Sequence, residues 1–313
     1  MKLSSEQDSA RASAAPGTEN IVLDAGGTAL SGLLARPARP TPHAVVVAVH
    51  GSGMRAGYFD SRARAGLSLL ATGAQLGYTV LALDRPGYGL SARQLPHGLA
   101  LAQQTQVLHA ALASFARSHA TGAGFFVVGH SHGGKLALAA AAHADGAGLI
   151  GVDVSGIGTR LAVTPDQLPG AAGPGDWRRH WGPLRLYPPG AFRLGHTLVA
   201  PVPAAEAREA SAWPRTYLHL AARIRIPVRF TFAEQERWWR HDDEAVAELL
   251  RPLAAPKSKV DRLPDAGHNI SLGWAARTYH LRVLAFLEEC LLASEAAPAG
   301  PVRNVPPARL GMS

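Results

Sequence analysis

One cysteine in 313 residues excludes an internal disulfide. Cys290 lies in AFLEECLLAS, whose pattern reads as a helix face, and fits a reducing compartment. Charge is sparse as well. Only 17% of residues are Asp, Glu, Lys or Arg, against an average of about 25%, while 47% are hydrophobic. That balance excludes a solvated, disordered chain and leaves a globular protein able to bury a sizeable core. Long apolar runs are missing: nothing approaches the ~18 uninterrupted apolar residues of a membrane span. The opening MKLSSEQDSARASAAPGTEN lacks the apolar centre of a secretory signal. The expected location is the cytoplasm, with no membrane partner. Although the net charge is +8, the arginines are scattered. No dense basic block interleaved with aromatics marks a nucleic-acid face, so no nucleic-acid partner is expected. No internal repeat recurs at a fixed period.

What is present is alternation. IVLDA and ALSGLLARP read as an antiparallel hairpin across Gly26 and Gly27. HAVVVAVH, YTVLALD, GFFVVGH and GLIGVDVSG are strands of the kind buried on both faces. Between them SRARAGLSLLATGAQLG, LALAQQTQVLHAALASFARSHA and GGKLALAAAAH read as helices. The rhythm breaks from 156 to 222, a stretch too poor in periodicity for another βα unit and too rich in Trp, Leu and Phe for a linker. It is read as a cap inserted over the sheet. Strand PVRFTFAEQ, a helix, strand KVDRLPDAGH and a last helix follow. The expected fold is α/β: a mostly parallel eight-stranded sheet flanked by helices, with a core of residues 21–155 and 223–293. Residues 1–20 and 294–313 are expected to be loose tails.

The chemistry centres on Gly129-His130-Ser131-His132-Gly133. This G-x-S-x-G follows a buried strand and opens a helix, the setting in which a tight turn strains the serine backbone and exposes its hydroxyl. A hydroxyl nucleophile needs a base, and the base needs an orienting acid. Ala233-Glu234-Gln235-Glu236 ends one later strand, and Asp265-Ala266-Gly267-His268 ends the next. A parallel sheet carries all of these to one edge.

With these segments in register, the chain resembles the α/β-hydrolase superfamily, specifically its capped members, from about residue 20 to 293. The resemblance rests on four motifs: His50-Gly51-Ser52-Gly53, Asp84-Arg85-Pro86-Gly87-Tyr88-Gly89, the elbow at Ser131, and Gly267-His268. It implies Ser131 as nucleophile, His268 as general base, and the backbone amides of Ser52 and His132 as an oxyanion hole. The acid departs from the usual Gly-x-x-Asp. Aligning Ala233 with that glycine puts Glu236 in the acid's place, with Glu234 as the alternative. Asp84 is read as tying down its turn, and His50 as packed beneath the Ser52 loop. No cofactor is expected, and no metal, because His50, His130 and His132 lack carboxylate or Cys ligands in metal-like spacing.

Trp238, Trp181 and Tyr187 are candidate pocket walls, and Lys135 is expected to be solvated. The cap carries seven arginines against four acids. The balance marks either ordinary surface or a docking face for an acidic acyl carrier protein or a substrate carboxylate. The reaction expected is cleavage of an ester, thioester or lactone, with a small-molecule acyl substrate. Acyl transfer, cyclisation and C–C hydrolysis fit the same residues, and a non-catalytic ligand receptor or scaffold is the alternative of another class.

Overall fold

Thr18–Asp24 (β1) and Ala29–Ala35 (β2) pair antiparallel, the chain reversing through Gly26 and Gly27, both at positive φ. The structure is a computed structural model and describes residues 17–144, 148–168 and 177–295. β1 takes up Thr18, Glu19 and Asn20, pairing them with Ala35, Leu34 and Leu33, so ordered structure starts before residue 21. The rest of the expected N-terminal tail, up to residue 16, lies outside the described residues, as does the C-terminal stretch after residue 295.

From there strands and helices alternate. Val45–Val49 (β3) leads to Leu69–Gln75 (α1), then Thr79–Leu83 (β4), Leu101–Ser118 (α2), Phe125–His130 (β5), His132–Ala142 (α3) and Leu149–Ser155 (β6). The helix expected from residue 61 starts only at Leu69. Gly66 sits at φ 84, and Ser68 caps the helix instead, its Oγ accepting from Ala71 N at 3.0 Å. After β6 come four short helices, Trp177–Trp181 (α4), Ala191–Leu198 (α5), Ala204–Glu209 (α6) and Trp213–Ala221 (α7). Val228–Gln235 (β7), Asp243–Leu250 (α8), Ser258–Gly267 (β8) and Ala276–Glu295 (α9) complete the described chain. Among the described residues no helix is long and apolar enough to cross a membrane.

The eight strands form one sheet in the order β1-β2-β4-β3-β5-β6-β7-β8. β2 meets β4 antiparallel, and from β4 to β8 every pairing is parallel. The side chains of β3 show why this strand is apolar throughout. Val45, Val47 and Val49 face the layer containing α2, α3 and α7, while Val46 and Ala48 face the layer containing α1 and α9. The chain runs from β3 to β4 on one side and then returns to place β5 on the other. This reversal opens a crevice at the carboxyl ends of the strands.

Two features hold the sheet together behind this crevice. Arg229 on β7 reaches Asp153 on β6 at 2.6 Å and Asp261 on β8 at 2.9 Å, stapling three neighbouring strands. α3 packs so closely behind β3 that a Cβ on Gly133 would lie 2.1 Å from the Val49 carbonyl oxygen. Gly133→Ala is therefore expected to destabilise the protein by about 1–3 kcal/mol through overpacking, read as a lowered urea midpoint. An unchanged midpoint would show that α3 can retreat from the sheet.

Candidate active site

Ser131 sits between β5 and α3 at φ 51, ψ −117. Only Ser131 and Asp265 adopt positive φ among the described non-glycine residues, a conformation that costs about 1–3 kcal/mol and persists only when the surroundings enforce it. Here the enforcement is visible. Ser131 N donates to the Ser155 carbonyl at 2.8 Å, and Gly134 N donates back to the Ser131 carbonyl at 2.9 Å. Gly129 allows the turn, because a Cβ there would lie 2.4 Å from the Gly133 carbonyl oxygen. Ser131 lines a cleft together with His268. Among the described residues no hydrogen bond is formed by Ser131 Oγ itself. Such contacts commonly tighten only when substrate arrives.

His268 follows β8, and its Nδ1 stands 2.7 Å from Glu236 Oε2. Glu236 is buried where β7 ends, and its Oε1 accepts from the amides of Arg237 at 3.0 Å and Trp238 at 2.9 Å. Burial pushes this carboxyl up, but the imidazole and the two amides outweigh it and hold the group below its ordinary value. Glu234, two residues earlier, is exposed and does something else. Its Oε2 accepts from Asp265 N at 2.9 Å and so secures the other strained residue in the turn leading to His268.

The His50 loop is held by a second buried network. His50 Nδ1 is 2.8 Å from the Gly51 carbonyl, so it carries the proton, and Nε2 accepts from Arg85 N at 3.1 Å. Burial and Arg85 lower its pKa well below the usual histidine value, so the ring is neutral. Asp84 accepts from Ala56 N at 2.8 Å and Ser31 Oγ at 2.7 Å, so it ties its segment to β2 and to the chain after the His50 loop rather than to its own turn. His130 stacks on Tyr58 with ring centroids 4.7 Å apart and reaches Ser155 Oγ at 3.1 Å. Among the described residues no group of His, Cys, Asp and Glu is arranged to hold a metal ion.

Sequence reading missed the centre of this network. Glu206, from α6, is buried and faces Arg85 with Nη1–Oε1 at 2.5 Å and Nη2–Oε2 at 3.1 Å. Its Oε2 also accepts from Ser52 Oγ at 2.9 Å and Tyr88 OH at 3.0 Å, and the Tyr88 oxygen accepts in turn from Gly53 N at 3.0 Å. Burial alone would raise the Glu206 carboxyl, but Arg85 drives it far below the ordinary range. The amides of Ser52 and His132 make no hydrogen bond among the described residues, and both residues line the cleft. Nothing in PVPAAEAREA distinguishes Glu206 from Glu209 or hints at this role.

The aromatic candidates divide. Trp238 lines the cleft, and Trp239 joins it. Trp181 and Tyr187 do not line it. They pack on each other at 4.9 Å and on Phe192 at 4.7 and 5.5 Å, against the backbone at Gly267, where a Cβ would meet Tyr187 OH at 2.4 Å. Their bulk supports the His268 turn from behind. Arg179 lies over the Trp238 ring at 5.8 Å, and His180 lines the cleft, its ring 5.9 Å from that of His268. Lys135 is not solvated but 8% exposed in the cleft wall. Removing the Glu206 carboxylate strands a buried guanidinium, so Glu206→Ala is expected to cost about 3–5 kcal/mol, measured by denaturant unfolding. A loss under about 1 kcal/mol would mean that solvent reaches the pair.

Comparison with known proteins follows the same lines. No curated protein matches the chain. Among solved structures, a thermostable carboxyl esterase from Bacillus coagulans shares 16% identity at TM-score 0.65, covering 88% of this chain and all of the esterase. The alpha/beta hydrolase GrgF from Penicillium sp. sh18 shares 16% at TM-score 0.67, covering 89% of this chain and 100% of its own. Est1E from Butyrivibrio proteoclasticus shares 16% at TM-score 0.58, covering 87% and 99%. At such identities the likeness speaks for the fold. The model of the alpha/beta hydrolase family matches residues 46–279, from β3 into α9 and across every motif described above. The chain belongs to the alpha/beta hydrolase family.

Proposed function

We propose that the protein is a serine hydrolase that cleaves a carboxylic ester, thioester or lactone through an acyl-enzyme. The observation that carries this reading is the 2.7 Å contact between Glu236 and His268 Nδ1 in the same cleft as the strained Ser131. A carboxylate on Nδ1 leaves Nε2 as the nitrogen free to take a proton. His268 Nε2 removes the Ser131 proton as Oγ attacks the substrate carbonyl. The developing oxyanion is met by the Ser52 and His132 amides, aided at His132 by its place at the start of α3. Collapse expels the alcohol or thiol, which takes the proton from His268. Water then enters, gives its proton to His268 and releases the acid.

In this reading the described residues of the 156–222 stretch serve as the cap, residues 169–176 of the expected cap lying outside the described residues. Leu161, Leu168, His180, Val202, Glu206 and Ala210 all line the cleft, and closing it over Ser131 strengthens every charge interaction inside. Glu236 holds the imidazole in its tautomer and stabilises the imidazolium.

A fluorophosphonate probe is expected to label the native chain and not Ser131→Ala. Ser131→Ala and His268→Ala are both expected to abolish turnover of a short p-nitrophenyl ester, with Glu236→Gln lowering kcat by about 10²–10⁴-fold and Glu234→Gln changing it little. No labelling of folded native protein would favour a ligand receptor. The Glu236 carboxyl is held below its unfolded value, so its stabilisation is present above about pH 4.5 and lost as pH falls through the lower folded value. The stability gap between the native protein and Glu236→Gln, read from urea unfolding, should therefore shrink on acidification. A gap that widened would overturn the sign.

A further inference from the structure

The cleft wall is rich in hydrogen-bond donors and poor in free acceptors. Lys135 lies one turn into α3 from Ser131, in a helix otherwise made of Gly, Ala and Leu after His132. Its side chain runs past the faces of Trp213 and Trp239, with Nζ 5.5 and 5.9 Å from the ring centroids. Among the described residues Nζ has neither a hydrogen bond nor an ion pair. The carboxylates acting on it are Glu206 and Glu209, and both are engaged elsewhere. Glu206 is taken up by Arg85, Ser52 and Tyr88, while Glu209 Oε2 accepts from Leu101 N at 2.8 Å. Burial pulls the ammonium down to about 8 despite those two acids, the cost of holding a cation without a close counter-charge.

His132 is three residues back and shares a helix face with Lys135. Its Nε2 is buried without a hydrogen-bond partner, and burial lowers the ring to about 3, so it is neutral. A buried ammonium beside an orphaned ring nitrogen calls for an anionic ligand group.

The side of the nucleophile on which it stands sets where that group belongs. Lys135 keeps company with His132, Glu206 and Trp213, whereas His268, which protonates the leaving group, has His130, His180 and Trp238 as ring neighbours. We propose that Lys135 is a specificity residue that binds a carboxylate on the acyl half of the substrate, so that the preferred substrates are half-esters or half-thioesters of dicarboxylic acids. This rests on the serine-hydrolase reading, and its test is built to fail separately from it.

The kinetic arm compares mono-p-nitrophenyl glutarate with its neutral methyl ester. The ratio of their kcat/KM values is expected to fall about 10–100-fold in Lys135→Met, which keeps the stem that packs between the two tryptophans. A ratio unchanged within about threefold would overturn the proposal. The second arm needs no turnover and no Lys135 variant. In Ser131→Ala, calorimetry with monomethyl glutarate and dimethyl glutarate should show the acid bound at least about tenfold more tightly. Equal affinities would remove the anion site even if the protein proves an active esterase. Tighter acid binding in a protein that hydrolyses neither ester would keep the site and discard the hydrolase.

Discussion

The buried pair between Arg85 and Glu206 is the contact on which the rest of the site depends. The guanidinium comes from the turn after β4 and the carboxylate from α6, in the stretch between β6 and β7. Between them they account for the orientation of the His50–Gly53 loop. Arg85 Nε donates to the His50 carbonyl at 2.7 Å while its backbone N donates to the His50 ring. Glu206 takes the Ser52 hydroxyl and, through Tyr88, the Gly53 amide. Burying two charges is costly, and only excellent geometry with further hydrogen bonds offsets it. Gln104 completes the set, its Oε1 accepting from Arg85 Nη1 at 2.9 Å.

Around this pair the sheet does what parallel sheets do. It delivers Ser131, Glu236 and His268 from the ends of β5, β7 and β8 to a single edge, with Arg229 bridging β6, β7 and β8. The two glutamates that close β7 show how finely that edge is divided. Glu236 is buried on the imidazole, and Glu234 is exposed on the backbone of Asp265. One carboxylate sets a tautomer and the other sets a turn.

The parts of this protein that follow a period or a motif were legible in the sequence. β-branched runs gave the buried strands. The glycines around Ser131 gave the elbow, and the chain order of Ser131, the glutamates and His268 gave the edge. Glu236 could be preferred to Glu234 only through the family resemblance, by aligning Ala233 with the glycine of its usual Gly-x-x-Asp. The stretch between β6 and β7 was legible only as an interruption, because its described helices are short and pack through individual side chains. Glu206 carried no pattern, and Trp181 and Tyr187 looked like pocket walls because aromatic content does not say which way a ring faces. Lys135 was misread for a different reason. One lysine near a helix start ordinarily reaches water, and only the tryptophans brought from α7 and from beyond β7 enclose it.

The placement of Glu206 limits how the stretch between β6 and β7 can be exchanged. The loop that presents Ser52 follows β3, yet the acid that orders it is encoded 154 residues after Ser52. Grafting another family member's β6–β7 stretch onto this chain would leave an unneutralised guanidinium beneath that loop unless the donor segment supplied an acid at the same point. The two stretches are far apart in sequence but form one electrostatic unit.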